Sequence, residues 1–381
     1  MTVRAKTRYG EMDCLAGDSI VSRSLLLYGE WAQAEMDLLA KLVSPGDRVL
    51  DVGAFLGTHT LALAHMVGSA GQVHSFEPRH AIRAILQSNV RLNGLSQVSV
   101  YPYALGEIAK QVDIPALDIN VPQNFGGLAI EPADAGVVNG VETINIVPLD
   151  DIALERIDLM KIDAEGMESE VVSGATNTIR KLRPLLFAEC NDLQHGSALM
   201  MNCWDLDYKV YGSLSYAFNP ANFLSEQEDI FAGASEVTLL AIPVEKVDDL
   251  LGRCDFVDLA CIESLDALSL LLLHKQQYVD EVLLQASSAE TLGLAFRTPL
   301  TRKLEAELDE QIWFAKSVQA RLESTLVNIA SLEQALEQAL DRERQQASEF
   351  EQARNQLLRY RSSSIAWRWS QLLTSLGFKR L

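Results

Sequence analysis

Arg48-Val-Leu-Asp-Val-Gly-Ala-Phe-Leu-Gly57, with His74-Ser-Phe-Glu-Pro78 behind it, is the stretch on which the reading of the fold turns. Val49, Leu50 and Val52 form a short apolar run suited to a buried strand. Gly53 and Gly57 close it, and glycine lets a backbone turn sharply and approach a ligand without Cβ interference. Thr58 to Val67 follows with helical spacing of apolar residues, so the turn delivers a helix N-terminus with free N–H groups. The next strand, Val73 to Phe76, ends on Glu77, where a carboxylate can accept hydrogen bonds from two ribose hydroxyls. Strand, glycine turn, helix, strand and acid predict a site for a nucleoside-bearing cofactor. The competing reading is an αβ crossover with a tight turn and no ligand.

The bulk numbers bound the rest. At 381 residues the chain is too long for one average domain and suggests a domain of about 250 residues with extensions. Apolar residues make up 48%, enough for a full core, and a net charge of −20 argues against nucleic-acid binding by the whole molecule. The five cysteines form no C-x-x-C pair and read as reduced thiols rather than a disulfide framework or zinc site. The basic N-terminus lacks an apolar h-region and no stretch has transmembrane length, so a cytoplasmic protein is expected.

Ahead of the first strand, residues 1–47 are expected to supply a capping helix, Ala32 to Leu42, placed over the cofactor end of the sheet; Trp31 and Glu35 either pack there or reach the cofactor. Behind Glu77 come a helix from Arg79 to Asn93, a third strand from Val98 to Leu105 with Ala104 at its end, and an irregular or hairpin insertion from Gln111 to Val147. A fourth strand, Asp158 to Ile162, leads into Lys161-Ile-Asp-Ala-Glu-Gly-Met-Glu168. A helix from Glu168 to Lys181 and a fifth strand, Leu185 to Ala188, follow, the latter ending at Glu189. Ligands of open α/β sheets bind beyond the carboxyl ends of the strands, so Asp163, Glu165 and Glu189 converge on one place. Helix capping and surface solvation would account for any one of them alone.

Asp51-x-Gly53-x-Phe55-x-Gly57 departs from the nicotinamide fingerprint G-x-G-x-x-G and resembles motif I of the class I S-adenosylmethionine (SAM) methyltransferases. Asp51-Val-Gly-Ala54, Phe76-Glu-Pro78, Asn89 with Leu92-Asn93, Leu149-Asp150, Lys161-Ile-Asp-Ala-Glu-Gly166 and Arg183-Pro184, in that order, resemble the FkbM family of SAM-dependent methyltransferases. The resemblance runs from about Tyr28 to Asn191, and Phe55 stands where the family usually has Asn. It implies a Rossmann-like, doubly wound α/β sheet over 48–245. It also implies SAM contacts from Asp51, Gly53, Ala54, Gly57, Glu77, Pro78, Ala104 and Asp163, and O-methylation of sugar or polyketide-type hydroxyls.

Methyl transfer from a sulfonium needs in-line approach of the acceptor oxygen, and a sugar hydroxyl benefits from a base. Asp163, Glu165 and Glu189 are the expected catalytic residues. No metal is required by this scheme; the alternative is magnesium between Asp163 and Glu189. Of the six histidines only His195 lies near this patch in sequence.

Tyr208 to Phe218 and Glu236 to Ile242 read as the last strands, and 246–299 as a helical connector, with Val247 to Gln277 rich in leucine. From Leu304 a heptad pattern begins. Of seventeen a and d positions between Leu304 and Tyr360, thirteen are apolar, which predicts a coiled coil over 300–361 and self-association or a partner helix. Residues 362–381 combine Trp367, Trp369 and leucines with basic residues and suit an anionic membrane surface at the inner face. The function expected is O-methylation of a sugar in a surface polysaccharide, glycolipid or similar product. The rival is a scaffold that oligomerises through its coiled coil in a polysaccharide-assembly complex and binds SAM weakly or not at all.

Overall fold

The computed structural model describes residues 2–119, 121–130, 140–253, 259–275, 356 and 365–376. It divides into two compact units, Met1–Thr298 and Pro299–Leu381. The first unit opens with a hairpin, β1 (Thr2–Thr7) and β2 (Gly10–Leu15), and two helices, α1 (Val21–Tyr28) and α2 (Gln33–Leu42). The hairpin corrects the expectation of a single helix before the sheet. Its signal is the alternation of buried Ala5 and Thr7 with buried Met12 and Cys14 about Gly10, a strand period that a search for helical spacing passes over.

The sheet then builds by crossovers: β3 (Arg48–Val52), α3 (Thr58–Val67), β4 (Gln72–Phe76), α4 (His80–Leu92) and β5 (Val98–Tyr101). The third strand stops there. Pro102 has no N–H for a ladder, and β6 (Tyr103–Leu105) leaves to form a separate three-stranded sheet with β7 (Lys110–Pro115) and β8 (Val141–Val147). Ala104 therefore lies in this small sheet, 6% exposed, and not at the end of a main-sheet strand. The pairing of β7 with β8 is the hairpin expected of the insertion.

The chain returns through β9 (Leu159–Ile162), α5 (Glu168–Ser173), α6 (Thr176–Leu182), β10 (Leu185–Glu189), α7 (Leu193–Asp205), β11 (Tyr208–Tyr216) and β12 (Ser235–Pro243). The helix expected over 168–181 is broken at Gly174, where a Cβ would overlap the backbone of Gly106. After α8 (Val247–Arg253), the leucine-rich stretch expected to be helical gives β13 (Ala260–Ile262) and α9 (Leu265–Leu272). Ser264 caps α9 by accepting the Ala267 N–H.

Among the described residues the main sheet has eight strands in the order β5-β4-β3-β9-β10-β12-β11-β13. The first five are parallel, and β12, β11 and β13 are each antiparallel to their neighbours. Both faces are covered, as parallel strands require. Leu50, Met160, Ile162 and Leu186 pack on the α5 and α7 side, and their alternates Val49, Leu159, Leu185 and Phe187 on the α2 and α3 side. The strand order reverses at β3, between β4 and β9, and opens a crevice at their carboxyl ends. In the second unit α10 spans Ile365–Ser375. The expected coiled coil lies outside the described residues apart from Gln356, which is helical.

Candidate active site

The turn after β3 is built by close approach of two strands. Gly53 has φ +74°, and a Cβ there would overlap the carbonyl oxygen of Asp163 at the end of β9. The glycine thus serves the close packing of two strands as well as lining the cavity. Gly57, at φ +94°, caps the N-terminus of α3, where a Cβ would come 2.6 Å from Leu86 Cδ1. Between them Phe55 holds φ +47° and donates its N–H to Glu77 Oε2 at 3.1 Å. Glu77 Oε1 accepts the Arg79 N–H at 2.8 Å. Burial pushes the Glu77 carboxyl up to about 7, against the pull of Arg79 and these two N–H groups.

Glu77 forms one end of a cavity of about 230 Å³, together with Gly53, Ala54, Phe55, Pro78 and Arg79. Phe125, Gly126 and Leu128 contribute to its wall. Buried Asp18 holds this segment, accepting the Phe125 N–H at 3.2 Å while its second oxygen takes the Ser22 N–H. Trp31 and Glu35 also line the cavity, so both residues left open by the sequence reach the site.

Asp163, Glu165, Glu189, Asn191 and Glu236 form the other end. One oxygen each from Asp163, Glu165 and Glu189 lies within 4.8 Å of the others. Lys161, 3% exposed, holds Asp163 at 3.1 Å and Asp51 at 3.3 Å. Burial would raise the Asp163 carboxyl, but Lys161, His59 and a side-chain hydrogen bond with Glu189 hold it below the usual range. Burial and repulsion from Asp163, Glu165 and Glu236 push Glu189 well upward. Glu165, in the left-handed region at φ +51°, is pushed up to about 8 by burial and by Asp163 and Glu168. The cluster therefore sets Asp163, held toward its ionised form, beside Glu165 and Glu189, held toward their protonated forms. Carboxylate oxygens suit magnesium, and Asp163, Glu165 and Glu189 are the residues that could hold such an ion.

Three residues expected to touch the cofactor, Ala104, Gly57 and Asp51, are not among those lining the cavity. Asp51 is fully buried behind the turn, taking a hydrogen bond from Thr60 Oγ1. His195 is tied to Asp192 at 2.6 Å and is also not among the lining residues. His59 is, and its ring lies 3.3 Å from Glu35. Sequence reading passed over His59, Asn191, Glu236 and Thr238. The last two share one face of β12, two residues apart, and the register Glu189↔Thr238 shows that an antiparallel strand brings its N-terminal end to the site.

The parallel sheet with its antiparallel edge, the glycine turn and the acid after the second strand define the Rossmann-like class I methyltransferase fold. Residues 51–210 match the model of the methyltransferase FkbM domain. Among solved structures it is similar to a methyltransferase FkbM from Methylobacillus flagellatus KT, at 16% identity over 58% of this chain and 52% of that one, TM-score 0.32. It is similar to a SAM-dependent O-methyltransferase from Thermotoga maritima at 15% identity, over 55% of this chain and 64% of that one, TM-score 0.34. A SAM-dependent methyltransferase from Aquifex aeolicus matches at 15% identity, over 58% of this chain and 93% of that one, TM-score 0.34. The chain thus spans about half the length of the Methylobacillus protein. No curated protein matches it.

Proposed function

We propose that this protein transfers a methyl group from SAM to a hydroxyl of a sugar, in a surface polysaccharide, glycolipid or similar glycosylated product. One observation carries the reading: a single cavity has a buried carboxylate suited to a ribose diol at one end and a proton-sharing carboxyl cluster at the other. Glu77 takes the ribose hydroxyls, and Gly53 to Phe55 with Pro78 flank the nucleoside. The sulfonium then lies toward Asp163, which Lys161 holds toward its ionised form. As the acceptor oxygen bonds to the methyl carbon, the carbon–sulfur bond breaks and S-adenosylhomocysteine leaves. The hydroxyl proton passes to the Asp163–Glu189 pair.

Calorimetric titration with SAM tests the first half; a folded protein that takes up no SAM would leave only the scaffold reading. Incubation with labelled SAM and the host's glycan fraction tests the acceptor. Asp163→Asn is expected to slow turnover by about a hundredfold or more, the range for a lost acid–base group, and Glu189→Gln to lower it as well. We further propose self-association through the heptads of 300–361 and contact of the tail with an anionic membrane surface. Among the described residues no helix is long and apolar enough to cross a membrane, while α10 exposes Trp369 and Leu372, with Leu376 exposed just beyond it.

A further inference from the structure

The acid cluster contains a cation that lies well outside the matched family segment. Lys275 follows α9 and is fully buried. Its ammonium reaches Glu236 Oε2 and Asn191 Oδ1, both at 2.8 Å. Asn191 in turn donates from Nδ2 to Glu189 Oε2 at 2.8 Å. An ammonium has donors and no acceptor, so whatever amide faces Lys275 must present its carbonyl oxygen. That fixes the orientation of Asn191 and points its NH₂ at Glu189. Glu189 Oε2 is then an acceptor, which leaves the proton of a protonated Glu189 on Oε1.

We infer that Lys275 is a positioning residue of the methyl-transfer site: through the Asn191 amide it dictates which oxygen of Glu189 carries the proton shared with Asp163. Resting on the methyltransferase reading above, this inference assigns a role to the β13–α9 segment, which adds a strand beyond β11 and delivers Lys275 beneath the catalytic end. The geometry also explains why a buried lysine is tolerated. It meets a carboxylate and a carbonyl oxygen, so its charge is compensated. Lys161 cannot substitute, because its ammonium is held by Asp51, Asp163 and the Gly53 carbonyl. The groups facing Glu189 from all sides are Asp163, Glu165 and Glu236 as acids and Asn191 as donor, with Lys161 and Lys275 one bond further out.

Asn191→Asp separates this role from a structural one. It is isosteric and keeps an oxygen for Lys275, and in the ionised form that the ammonium favours it cannot donate to Glu189. Turnover is expected to fall at least tenfold with the SAM dissociation constant changed less than threefold. Lys275→Met should give the same loss, Lys275→Arg should recover part of it, and the double variant Asn191→Asp/Lys275→Met should lose no more than either single change. Full turnover in Asn191→Asp, or losses that multiply in the double variant, would overturn the proposal. A readout without turnover is the infrared carbonyl band of the protonated carboxyl, assigned by its disappearance in Glu189→Gln. It should shift in Asn191→Asp, and an unshifted band counts against the proposal. If the wild-type protein methylates nothing while the band still shifts, the hydrogen-bond relay stands and the methyltransferase reading is what fails.

Discussion

Phe55 occupies a left-handed backbone conformation, φ +47°, which favours Asn several-fold over bulky residues. That accounts for the asparagine usual at this place in the family without any side-chain contact to a ligand. Here the ring packs among Ile20 and Phe125 and also borders the cavity. Phe55→Asn relieves about 1–2 kcal/mol of backbone strain and loses a comparable amount of half-buried apolar surface. Thermal melting should therefore place it within about 1 kcal/mol of the wild type, with SAM affinity within threefold; a tenfold loss would mean the ring itself holds the nucleoside. Glu77 is the residue whose place was plainest in sequence, because it follows the second strand at the carboxyl edge of the sheet, where ligands of such sheets bind. Its carboxyl, pushed up to about 7, is protonated below that pH and cannot accept from both ribose hydroxyls. SAM binding should strengthen as pH rises from 6 to 8, and Glu77→Gln should weaken binding and flatten that dependence. The same shift makes the folded protein hold more protons than the unfolded chain between about pH 4.5 and 7. In the absence of ligand Glu77 therefore takes stability away as pH rises through that window. Asp51 is the counterexample: the motif marks an acid, but in the fold it faces Lys161 and Thr60 in the core.

At the scale of elements, several motif residues turn out to build the scaffold and not the chemistry. Asn89 of α4 donates to the carbonyls of Leu56 and Asp13 and accepts the Asp13 N–H, so it ties the glycine turn to β2. Asp150 accepts the N–H groups of Asn177 and Thr178 in the first turn of α6. Glu168, at the start of α5, accepts from Ala164 and Gly166 and closes the turn that carries Asp163 and Glu165. Removing that acceptor by Glu168→Ala should cost about 1–2 kcal/mol and lower turnover more than SAM affinity, because it loosens the catalytic end only. Lys161 is the harder test of the sheet itself. It links β9 to β3 through Asp51, whose Oδ1 has no hydrogen bond and lies 3.3 Å from the ammonium. Lys161→Met leaves two carboxylates uncompensated and should destabilise the fold by about 3–5 kcal/mol, read from denaturant melts; Asp51→Asn alone should cost less. Four of the parallel strands, β3, β4, β9 and β10, were legible because each is a short apolar run ending at a glycine or an acid. β1, β2 and β13 were not, since short edge strands carry few residues from which to count a period. A search tuned to helices absorbed β13 into its leucine-rich neighbours.

For the whole molecule, sequence and structure speak to different halves. The fold of the first unit followed from motif spacing, whereas the far side of its site depends on Glu236 and Lys275, which converge only through an antiparallel strand and a late helix. Nothing local in the sequence joins them. The second unit is legible in the opposite way: its heptads are explicit from Leu304 to Tyr360, and the division of the chain falls between Thr298 and Pro299. A seam of apolar a and d residues is stable when buried against another helix, whereas the methyltransferase cavity is lined entirely by residues of the first unit. Removing 300–381 should therefore leave SAM affinity within threefold while converting an oligomeric full-length protein to a monomer in sedimentation velocity. Lysine in place of Leu322 and Ile329, two a positions, should do the same in the intact chain. If the full-length protein sediments as a monomer at micromolar concentration, the heptads serve a partner helix instead of a second copy. Flotation with anionic vesicles addresses the tail in the same material. Full-length protein should float, and Trp369→Ala/Leu372→Ala should remain in the soluble fraction with its oligomeric state unchanged, because these side chains are exposed on α10 and lie beyond the heptads.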